Sequence, residues 1–290
     1  MKYYSYYPGC SAEGTGLGLG LSARAIAGPL GMELIELEGW NCCGSTPYGS
    51  LDAAESIVVA ARNLALGEAR GFDLVTPCSA CCVTLNKTAE RLKSDSALGR
   101  RVNEALSVAG LTYKGGLRVR HLVDVLANDI TPPAIAGLVK RKLDGLKVAA
   151  YYGCQLVRPY AGDAESPRSL DDLVRATGAG PVDFPLKSRC CGGSLIISEE
   201  ALALGLIRKL YENAASRGAE GIVTACPLCQ TNLDAYQGKV NKKYNTGYNL
   251  PVLYITQLIG LALGLPEKEL GLDTNVVSPG RLLSKVKQEV

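Results

Sequence analysis

The stretch LVTPCSAC, at residues Leu74–Cys81, is repeated as IVTACPLC at residues Ile222–Cys229. In both copies an apolar run that predicts a strand leads directly into a Cys-x-x-Cys pair. Self-similarity of this kind indicates two copies of one structural unit in a single chain. The two copies therefore provide a common frame for interpreting the rest of the sequence.

Upstream of this stretch the repeat continues through two further cysteine motifs. CCGS at Cys42–Ser45 matches CCGG at Cys190–Gly193, and in each half 34 residues lie between the Cys-Cys pair and the Cys-x-x-Cys pair. YYPGC at Tyr6–Cys10 matches YYGC at Tyr151–Cys154, with 31 and 35 residues between the last cysteine of the motif and the Cys-Cys pair. The spacing thus defines two equivalent sets of five cysteines.

Ten of the 11 cysteines obey the repeat. The N-terminal set consists of Cys10, Cys42, Cys43, Cys78 and Cys81, and the C-terminal set consists of Cys154, Cys190, Cys191, Cys226 and Cys229. Cys82 has Gln230 as its counterpart and lies outside both sets, so we expect it to be a small buried residue near the N-terminal set.

Between the cysteines, apolar runs typical of strands alternate with helical periodicity, and PVDFPLKS at 181–188 is one of the predicted strands. This alternation indicates a parallel sheet. We therefore predict an α/β fold of two Rossmann-like domains related by a pseudo-two-fold axis. Each is a small parallel sheet flanked by helices, with its cysteines at the carboxyl ends of the strands, where open α/β sheets bind ligands.

Length and composition agree with two domains. The chain has 290 residues, which at roughly 150 residues per domain predicts two domains, and 47% of its residues are apolar. We place the boundary in ITPPAIAGLVKRKLDGL, residues 130–146, which gives domains 1–143 and 144–290. We expect this segment to be a solvated linker helix.

Charge and hydropathy exclude several classes of partner. Lys plus Arg number 31 against 28 for Asp plus Glu, a net charge of +3 that gives no reason to expect nucleic acid. No signal peptide is visible, and the apolar stretch Leu258–Leu265 is far shorter than the ~20 residues of a membrane span. We expect a cytoplasmic protein, whose cysteines bind metal rather than form disulfides.

Three interpretations of the cysteines compete. Disulfides fit poorly with vicinal pairs such as Cys42-Cys43. A structural zinc site uses four ligands, whereas here the two Cys-x-x-Cys pairs are 144 residues apart. Iron–sulfur clusters suit soft thiolates. A cubane cluster needs four cysteines and each half offers five, so either one is a spectator or the cluster is not a cubane, and spacing alone does not decide.

The motif Cys-x(31–35)-Cys-Cys-Gly-x(33)-Cys-x-x-Cys, present twice, resembles the cysteine-rich CCG domain pair of the heterodisulfide reductase B subunit. The resemblance covers nearly the whole chain. It implies that the ten cysteines of the two sets hold two non-cubane 4Fe-4S clusters, one per set. It also implies a catalytic subunit that reduces a disulfide of the CoM-S-S-CoB type to two thiols between the clusters.

The sequence has no flavin or nicotinamide motif, so electrons must come from partner subunits. The resemblance implies such partners as well. The expected partners are a small ferredoxin-like iron–sulfur subunit and a flavin-containing subunit. One alternative is a CCG-domain subunit that passes electrons to or from a quinone in a succinate, lactate or glycolate oxidoreductase. Another is a non-catalytic zinc protein.

Few other residues are candidates for chemistry. His121, the only histidine, lies at a predicted strand-to-helix junction and is a weak candidate for delivering protons to a nascent thiolate. The tyrosines before Cys10 and Cys154 are expected to pack in the sheet, and Tyr7 or Tyr152 is a minor candidate for a hydrogen bond to cluster sulfur.

Overall fold

The computed structural model describes residues 1–45, 53–160 and 163–287. Its elements fall into two halves, each built on a four-stranded, fully parallel sheet with helices packed around it. The predicted α/β class and the duplicated sheet are confirmed.

The N-terminal half has the strand order β2-β1-β3-β4. Its strands are β1 (Lys2–Tyr6), β2 (Met32–Glu36), β3 (Leu74–Thr76) and β4 (Val119–His121). Its helices are α1 (Leu17–Ala27), α2 (Ala53–Arg70), α3 (Ser79–Ser94), α4 (Ser96–Ser107) and α5 (Pro132–Gly137). A 3-10 turn spans Cys10–Glu13, and a helical turn at Leu122–Asp124 continues as a π-helix over Val125–Ile130.

The C-terminal half repeats this topology with the order β6-β5-β7-β8. Its strands are β5 (Lys147–Tyr151), β6 (Gly180–Pro181), β7 (Gly221–Thr224) and β8 (Val252–Tyr254). Its helices are α6 (Ser169–Ala176), α7 (Leu195–Ser198), α8 (Glu200–Ser216), α9 (Pro227–Tyr244), α10 (Ile255–Ala262) and α11 (Gly280–Lys287), with a 3-10 turn at Leu272–Thr274.

The main local difference between the sequence prediction and the structure concerns the strand predicted over 181–188. Only Gly180–Pro181 pairs with β5, through Lys147 and Val148. Proline has no N–H to donate to the next strand, and this segment contains both Pro181 and Pro185. The remaining residues instead form the turns that lead to Cys190.

The Cys-x-x-Cys pairs stand where strands end and helices begin. Cys78 has an extended backbone (φ −100°, ψ 118°) and precedes the first residue of α3, and Cys226 (φ −124°, ψ 123°) precedes that of α9. Each pair therefore lies at the N-terminus of a helix, whose free N–H groups carry partial positive charge and favour thiolates.

A single hydrophobic core joins the two halves. It contains side chains of α1, the π-helix, α6 and α10, and its members Leu126, Leu173 and Leu258 are completely buried. The halves also meet where Ser22 of α1 and Thr256 of α10 share a 2.6 Å hydrogen bond. A Cβ atom on Gly18 would lie 2.8 Å from Thr274 Oγ1, so only glycine permits this close approach.

The segment between the sheets is not the solvated linker helix that the sequence predicts. Its only helix is the short α5, and the side chains of Ile135, Leu143 and Leu146 are buried in the shared core. A Pro pair and a basic run resemble a linker in composition, but the apolar residues between them pack against both halves. The boundary between residues 143 and 144 remains a prediction.

None of the helices that the structure describes is both long enough and apolar enough to cross a lipid bilayer.

Candidate functional site

The cysteines of each set converge at the carboxyl edge of one sheet, as predicted. In each half the first cysteine follows the central strand β1 or β5, the Cys-Cys pair follows β2 or β6, and the Cys-x-x-Cys pair follows β3 or β7. Residues far apart in sequence are thus brought together by parallel strands that end at the same edge.

In the N-terminal set two contacts between sulfur atoms join four of the five thiols in pairs. The Sγ atoms of Cys43 and Cys81 are 3.5 Å apart, and those of Cys42 and Cys10 are 3.8 Å apart. Every cysteine is a free thiol, because a disulfide needs an S–S distance of about 2.05 Å.

The C-terminal set repeats one of these contacts. The Sγ atoms of Cys191 and Cys229 are 3.6 Å apart, which matches the Cys43–Cys81 contact of the first half. In both halves the second cysteine of the Cys-Cys pair therefore lies against the last cysteine of the set.

Each set is buried on one side and open on the other. In the N-terminal set Cys43, Cys78 and Cys81 are buried, Cys42 is half-buried and Cys10 is exposed.

The C-terminal set is graded in the same way: Cys191, Cys226 and Cys229 are buried, Cys154 is half-buried and Cys190 is exposed. A group bound by either set would be embedded next to the sheet and accessible near the first cysteine and the Cys-Cys pair.

The thiols share protons, and one member of each set is stabilised as a thiolate. S–H donation from Cys42 and Cys81 lowers the pKa of Cys43 to about 3. S–H donation from Cys154 and Cys191 lowers the pKa of Cys190 to about 2. The same bonds raise the pKa of the donors, so the thiol hydrogen bonds favour a thiolate at Cys43 in one set and at Cys190 in the other.

Two tyrosines that the sequence predicts to pack in the sheet give the two Cys-Cys loops matching geometry. Tyr7 donates its hydroxyl to the Asn41 carbonyl at 2.7 Å, and Tyr151 donates to the Arg189 carbonyl at 2.7 Å. Both carbonyls belong to the residue before a Cys-Cys pair. Tyr7 and Tyr151 are completely buried and fix the two loops to their sheets.

The minor prediction of a tyrosine hydrogen bond to cluster sulfur is wrong for both candidates. The Tyr7 hydroxyl is used by a backbone carbonyl, and the Tyr152 hydroxyl donates to the Asp171 carboxylate at 2.6 Å. The repeat aligns Tyr7 with Tyr151 rather than Tyr152, because Pro8 occupies the position that Tyr152 has in the second half.

Buried asparagines complete the support of both loops. Asn63 of α2 donates to the Asn41 carbonyl and accepts from the Asn41 N–H, both at 3.0 Å. In the other half Asn232 of α9 donates to the carbonyls of Gly193 at 2.9 Å and Cys191 at 3.2 Å. Because these residues come from different helices, no sequence repeat points to them.

Cys82 lies apart from the thiol contacts of the N-terminal set. The Asn86 amide nitrogen is 3.5 Å from its sulfur, and burial raises the pKa of Cys82 to about 12. Its side chain lines a cavity of about 470 Å³ between the halves, together with residues such as Val119 and Gln155. Cys82 is half-buried rather than buried as the sequence predicts. The prediction that it is not a ligand remains a proposal, which this placement supports.

His121 is buried between the halves and is not exposed on the open side of either cysteine set. It ends β4 and caps the following helical turn, since its Nδ1 accepts the Val123 N–H at 3.0 Å. Its Nε2 lies 3.3 Å from Ser79 Oγ. Burial lowers the pKa of His121 to about 4, so the imidazole is neutral at pH 7.

Each donor set offers five free thiols, one more than a four-coordinate metal ion binds. Most of them are buried, and one pair in each set stands at the N-terminus of a helix. Such soft donors match the ligands that iron–sulfur clusters require. Within the described part of the chain, no three Cys, His, Asp or Glu side chains are arranged as ligands of one metal ion.

Two copies of one parallel sheet, each with five thiols at its carboxyl edge, define the chain as a duplicated cysteine-rich α/β protein. The family model described as CCG, cysteine-rich domain, matches residues 4–86 and 148–234. The chain belongs to this family, and its full-length relatives place it among the proteins related to the B subunit of heterodisulfide reductase.

Three relatives illustrate this. The 8-methylmenaquinol:fumarate reductase membrane anchor subunit of Wolinella succinogenes is 36% identical, over 97% of this chain and 99% of its own length. The B subunit of a ferredoxin/F420H2-dependent CoB-CoM heterodisulfide reductase from Methanosarcina acetivorans is 33% identical, over 99% and 97%. A protein of Archaeoglobus profundus described as similar to the heterodisulfide reductase B subunit is 34% identical, over 94% of each chain.

The fold is also present in a solved structure. The crystal structure of a hypothetical protein from Helicobacter pylori superposes with a TM-score of 0.77 over 96% of this chain and 52% of that chain. Its sequence is 18% identical, so the likeness concerns the fold alone.

Proposed function

We propose that the two cysteine sets hold one iron–sulfur cluster each and that the chain, as part of a larger complex, reduces a disulfide to two thiols. The observation that carries this proposal is the duplication of the site itself: two five-thiol sets of matching geometry in one rigidly packed chain. Disulfide reduction consumes two electrons, and iron–sulfur clusters commonly transfer one each.

The proposal for the cluster type rests on the number of thiols. A cubane cluster uses four cysteines, whereas each set brings five free thiols to one sheet edge. We therefore propose two non-cubane 4Fe-4S clusters, held by the ten cysteines of the two sets. When bound, each cluster would supply one electron and an iron to which a departing sulfur can bind.

The protein's own residues would hold, bury and orient the two clusters. Tyr7 and Tyr151 fix the Cys-Cys loops, and the Cys-x-x-Cys pairs stand at the N-termini of α3 and α9, whose partial positive charge favours thiolates. Burial of three thiols per set excludes water from the inner side, and the exposed Cys10 and Cys190 leave the outer side open to substrate. His121, enclosed and neutral, serves to position rather than to transfer protons.

The electron donors are partner subunits. We propose a small ferredoxin-like iron–sulfur subunit and a flavin-containing subunit, as the resemblance to heterodisulfide reductase implies. A disulfide of the CoM-S-S-CoB type is the substrate named for the Methanosarcina relative. Free thiols in both sites support a reducing compartment, and we place the chain in the cytoplasm.

A second candidate function is electron transfer to or from a quinone. It is favoured by the relative from Wolinella succinogenes, the anchor subunit of an 8-methylmenaquinol:fumarate reductase, which is 36% identical over nearly its entire length. The two functions need the same clusters and differ in the electron acceptor, so a comparison of acceptors separates them.

The test begins with anaerobic reconstitution, followed by iron and sulfide analysis and electron paramagnetic resonance. We expect roughly eight irons per chain in two clusters. The reduced protein is then mixed with CoM-S-S-CoB or with a water-soluble menaquinone analogue, and reoxidation is followed by absorbance. Reoxidation by the disulfide with release of two thiols supports the proposal. Reoxidation by the quinone alone supports the second candidate, and stoichiometric zinc without iron would contradict both.

A further inference from the structure

The two cysteine sites differ in one hydrogen bond to a cysteine sulfur, although both sites come from one repeat. In the C-terminal half the amide nitrogen of Asn232 lies 3.8 Å from the Sγ atom of Cys191. Asn232 is 1% exposed, so water does not compete for this amide. A neutral N–H donor from the protein interior thus contacts the sulfur of a proposed cluster ligand.

The neighbours of Asn232 fix which end of its amide faces the sulfur. The same nitrogen donates to the carbonyl of Gly193 at 2.9 Å and to that of Cys191 at 3.2 Å. Carbonyl oxygens only accept hydrogen bonds, so the amide nitrogen, and not the amide oxygen, must face them. Of the two hydrogens on this nitrogen, one is donated to Gly193 and the other is shared between the oxygen and the sulfur of Cys191.

Helix α9 places this donor beside the thiols. Asn232 follows Cys229 by three residues within α9, so the two side chains lie on the same face of the helix. The Sγ atom of Cys229 is 3.6 Å from that of Cys191. The Cys191 sulfur is therefore contacted twice from one face of α9, by a thiol and by an amide.

The first half has no amide at the equivalent position. There Thr84 follows Cys81 by three residues within α3. The Cys43 sulfur lies 3.5 Å from that of Cys81, but across the described residues no hydrogen bond joins it to Thr84. Asn63, which supports the first Cys-Cys loop, bonds the backbone of Asn41 and no sulfur.

The backbone turn of the Cys-Cys loops does not distinguish the two halves. The N–H groups of Gly192 and Gly193 donate to the sulfurs of Cys190 and Cys191, each at 3.4 Å. The glycine after the Cys-Cys pair has a positive φ in both halves, +80° at Gly44 and +93° at Gly192. The turn is thus common to both loops, whereas the side-chain donor is not.

We infer that Asn232 is a positioning residue that donates a hydrogen bond to the Cys191 sulfur and makes the C-terminal cluster easier to reduce than the N-terminal cluster. The inference rests on the proposed function, since it requires a cluster at each site. A hydrogen bond to ligand sulfur stabilises the more negative, reduced state and raises the reduction potential, and burial strengthens the bond. The first electron that a partner subunit delivers would therefore reside on the C-terminal cluster.

The test is a potentiometric titration of both clusters in the holo protein, followed by electron paramagnetic resonance, with iron content measured in parallel. Cys229→Ser, which should lack the intact C-terminal cluster, assigns the signals. Asn232→Thr gives the second half the residue that the first half has at this position. It should lower the potential of the C-terminal cluster by about 59 mV, which is a tenfold change in the equilibrium constant of one-electron reduction. The potential of the N-terminal cluster should stay in place.

Asn63→Thr is the matched control, because Asn63 supports a Cys-Cys loop without contacting a sulfur. This variant should leave both potentials unchanged. If it lowered the potential of the N-terminal cluster as much as Asn232→Thr lowers that of the C-terminal cluster, loop support and not the bond to sulfur would set the potential. That result would overturn the inference.

A reciprocal variant keeps the test valid if Asn232→Thr binds no iron at the C-terminal site. Thr84→Asn adds an amide at the equivalent position of α3 and should raise the potential of the N-terminal cluster. In that case an unmoved N-terminal potential would overturn the inference, as would an unmoved C-terminal potential in a fully loaded Asn232→Thr protein. Both results leave the proposed function intact, whereas an unmodified chain that binds no iron would overturn both proposals.

Discussion

A Cβ atom added to Gly153 would lie 2.8 Å from the Sγ atom of Cys229. The same relationship holds in the first half, where a Cβ atom on Gly9 would lie 3.0 Å from Cys81 Sγ. Both glycines have positive φ angles, +65° and +75°, which side-chain-bearing residues rarely adopt. The last cysteine of each set thus packs directly against the backbone beside the first.

Gly153→Ala should therefore displace Cys229 and disrupt the C-terminal set, because neither the sulfur nor the backbone can move without breaking the thiol contacts. We expect the iron content after reconstitution to fall by about half, with the N-terminal cluster retained. The measurement is iron per chain, together with electron paramagnetic resonance of the remaining cluster.

Gly218→Ala is the matched control for the effect of φ alone. Gly218 has φ +74° with no atom within 4 Å of the added Cβ. This change should cost about 1 kcal/mol of stability and leave iron binding unaffected. Equal iron loss in both variants would mean that backbone strain, rather than contact with Cys229, is responsible.

Cys81 and Cys82 are adjacent in sequence but should respond differently to serine. Cys81 contacts Cys43 through sulfur, and serine oxygen is a poor ligand for iron, so Cys81→Ser should lose or convert the N-terminal cluster. Cys82→Ser should retain its iron and cost on the order of 1 kcal/mol. Iron analysis of the two variants tests this difference. Equal loss of iron from both would refute the assignment of ligands from the repeat.

The buried neutral state of His121 predicts a loss of stability in mild acid. Its pKa is lowered to about 4 in the folded chain, whereas in the unfolded chain it is about 6.5. Between these values the unfolded chain binds one more proton, so this contribution is complete above pH 6.5 and declines as the pH falls towards 4.

The corresponding measurement is the free energy of unfolding at pH 7.5 and at pH 5. The decrease between the two should be about 2 kcal/mol larger in the unmodified chain than in His121→Asn, which cannot titrate in this range. The same decrease in both proteins would show that His121 is not held neutral by burial.

The ion pairs of Arg120 should be worth more than pairs at the surface. Arg120 is 6% exposed and binds the Asp129 carboxylate through two nitrogens, at 2.6 and 2.9 Å, and Tyr4 donates to the same carboxylate. These hydrogen bonds, chiefly that of Arg120, lower the pKa of Asp129 to about 2. Asp129→Asn should therefore reduce the free energy of unfolding by about 2 kcal/mol, as measured by urea denaturation.

Glu36→Gln provides the comparison, since Glu36 pairs with Arg24 and both side chains are 45% exposed. An exposed pair contributes between 0 and about 1 kcal/mol, so this variant should unfold nearly as the unmodified chain does. A larger effect of Glu36→Gln than of Asp129→Asn would contradict the importance of burial.

Much of the fold could be predicted because the cysteine motifs mark the strands that precede them. The runs before Cys10, Cys78, Cys154 and Cys226 are the strands β1, β3, β5 and β7, and His121 does lie at a strand-to-helix junction. The strand β8, by contrast, has only three residues and no motif. Its place in the sheet is set by pairing with β7, a contact that local sequence does not reveal.

The rest of the site depends on contacts between distant residues. Ser22 and Thr256 belong to different halves and share a hydrogen bond, and Asn63 reaches the Cys-Cys loop from the helix that follows it. The linker prediction was wrong for the same reason, because Ile135 is buried in the core that the two halves share. Composition and spacing describe a residue and its neighbours in sequence, whereas these roles arise from the packing of one half on the other.

The hydrophobic core that crosses from one half to the other has a consequence for molecular recognition. Two-domain enzymes often close on their ligand by rotation about a hinge. Here Leu126, Leu173 and Leu258 fill the space that a hinge would need, so the halves behave as a single block. The fold therefore fixes the distance between the two thiol sets. A molecule that bridges them must match that distance in length, because the halves do not close around it.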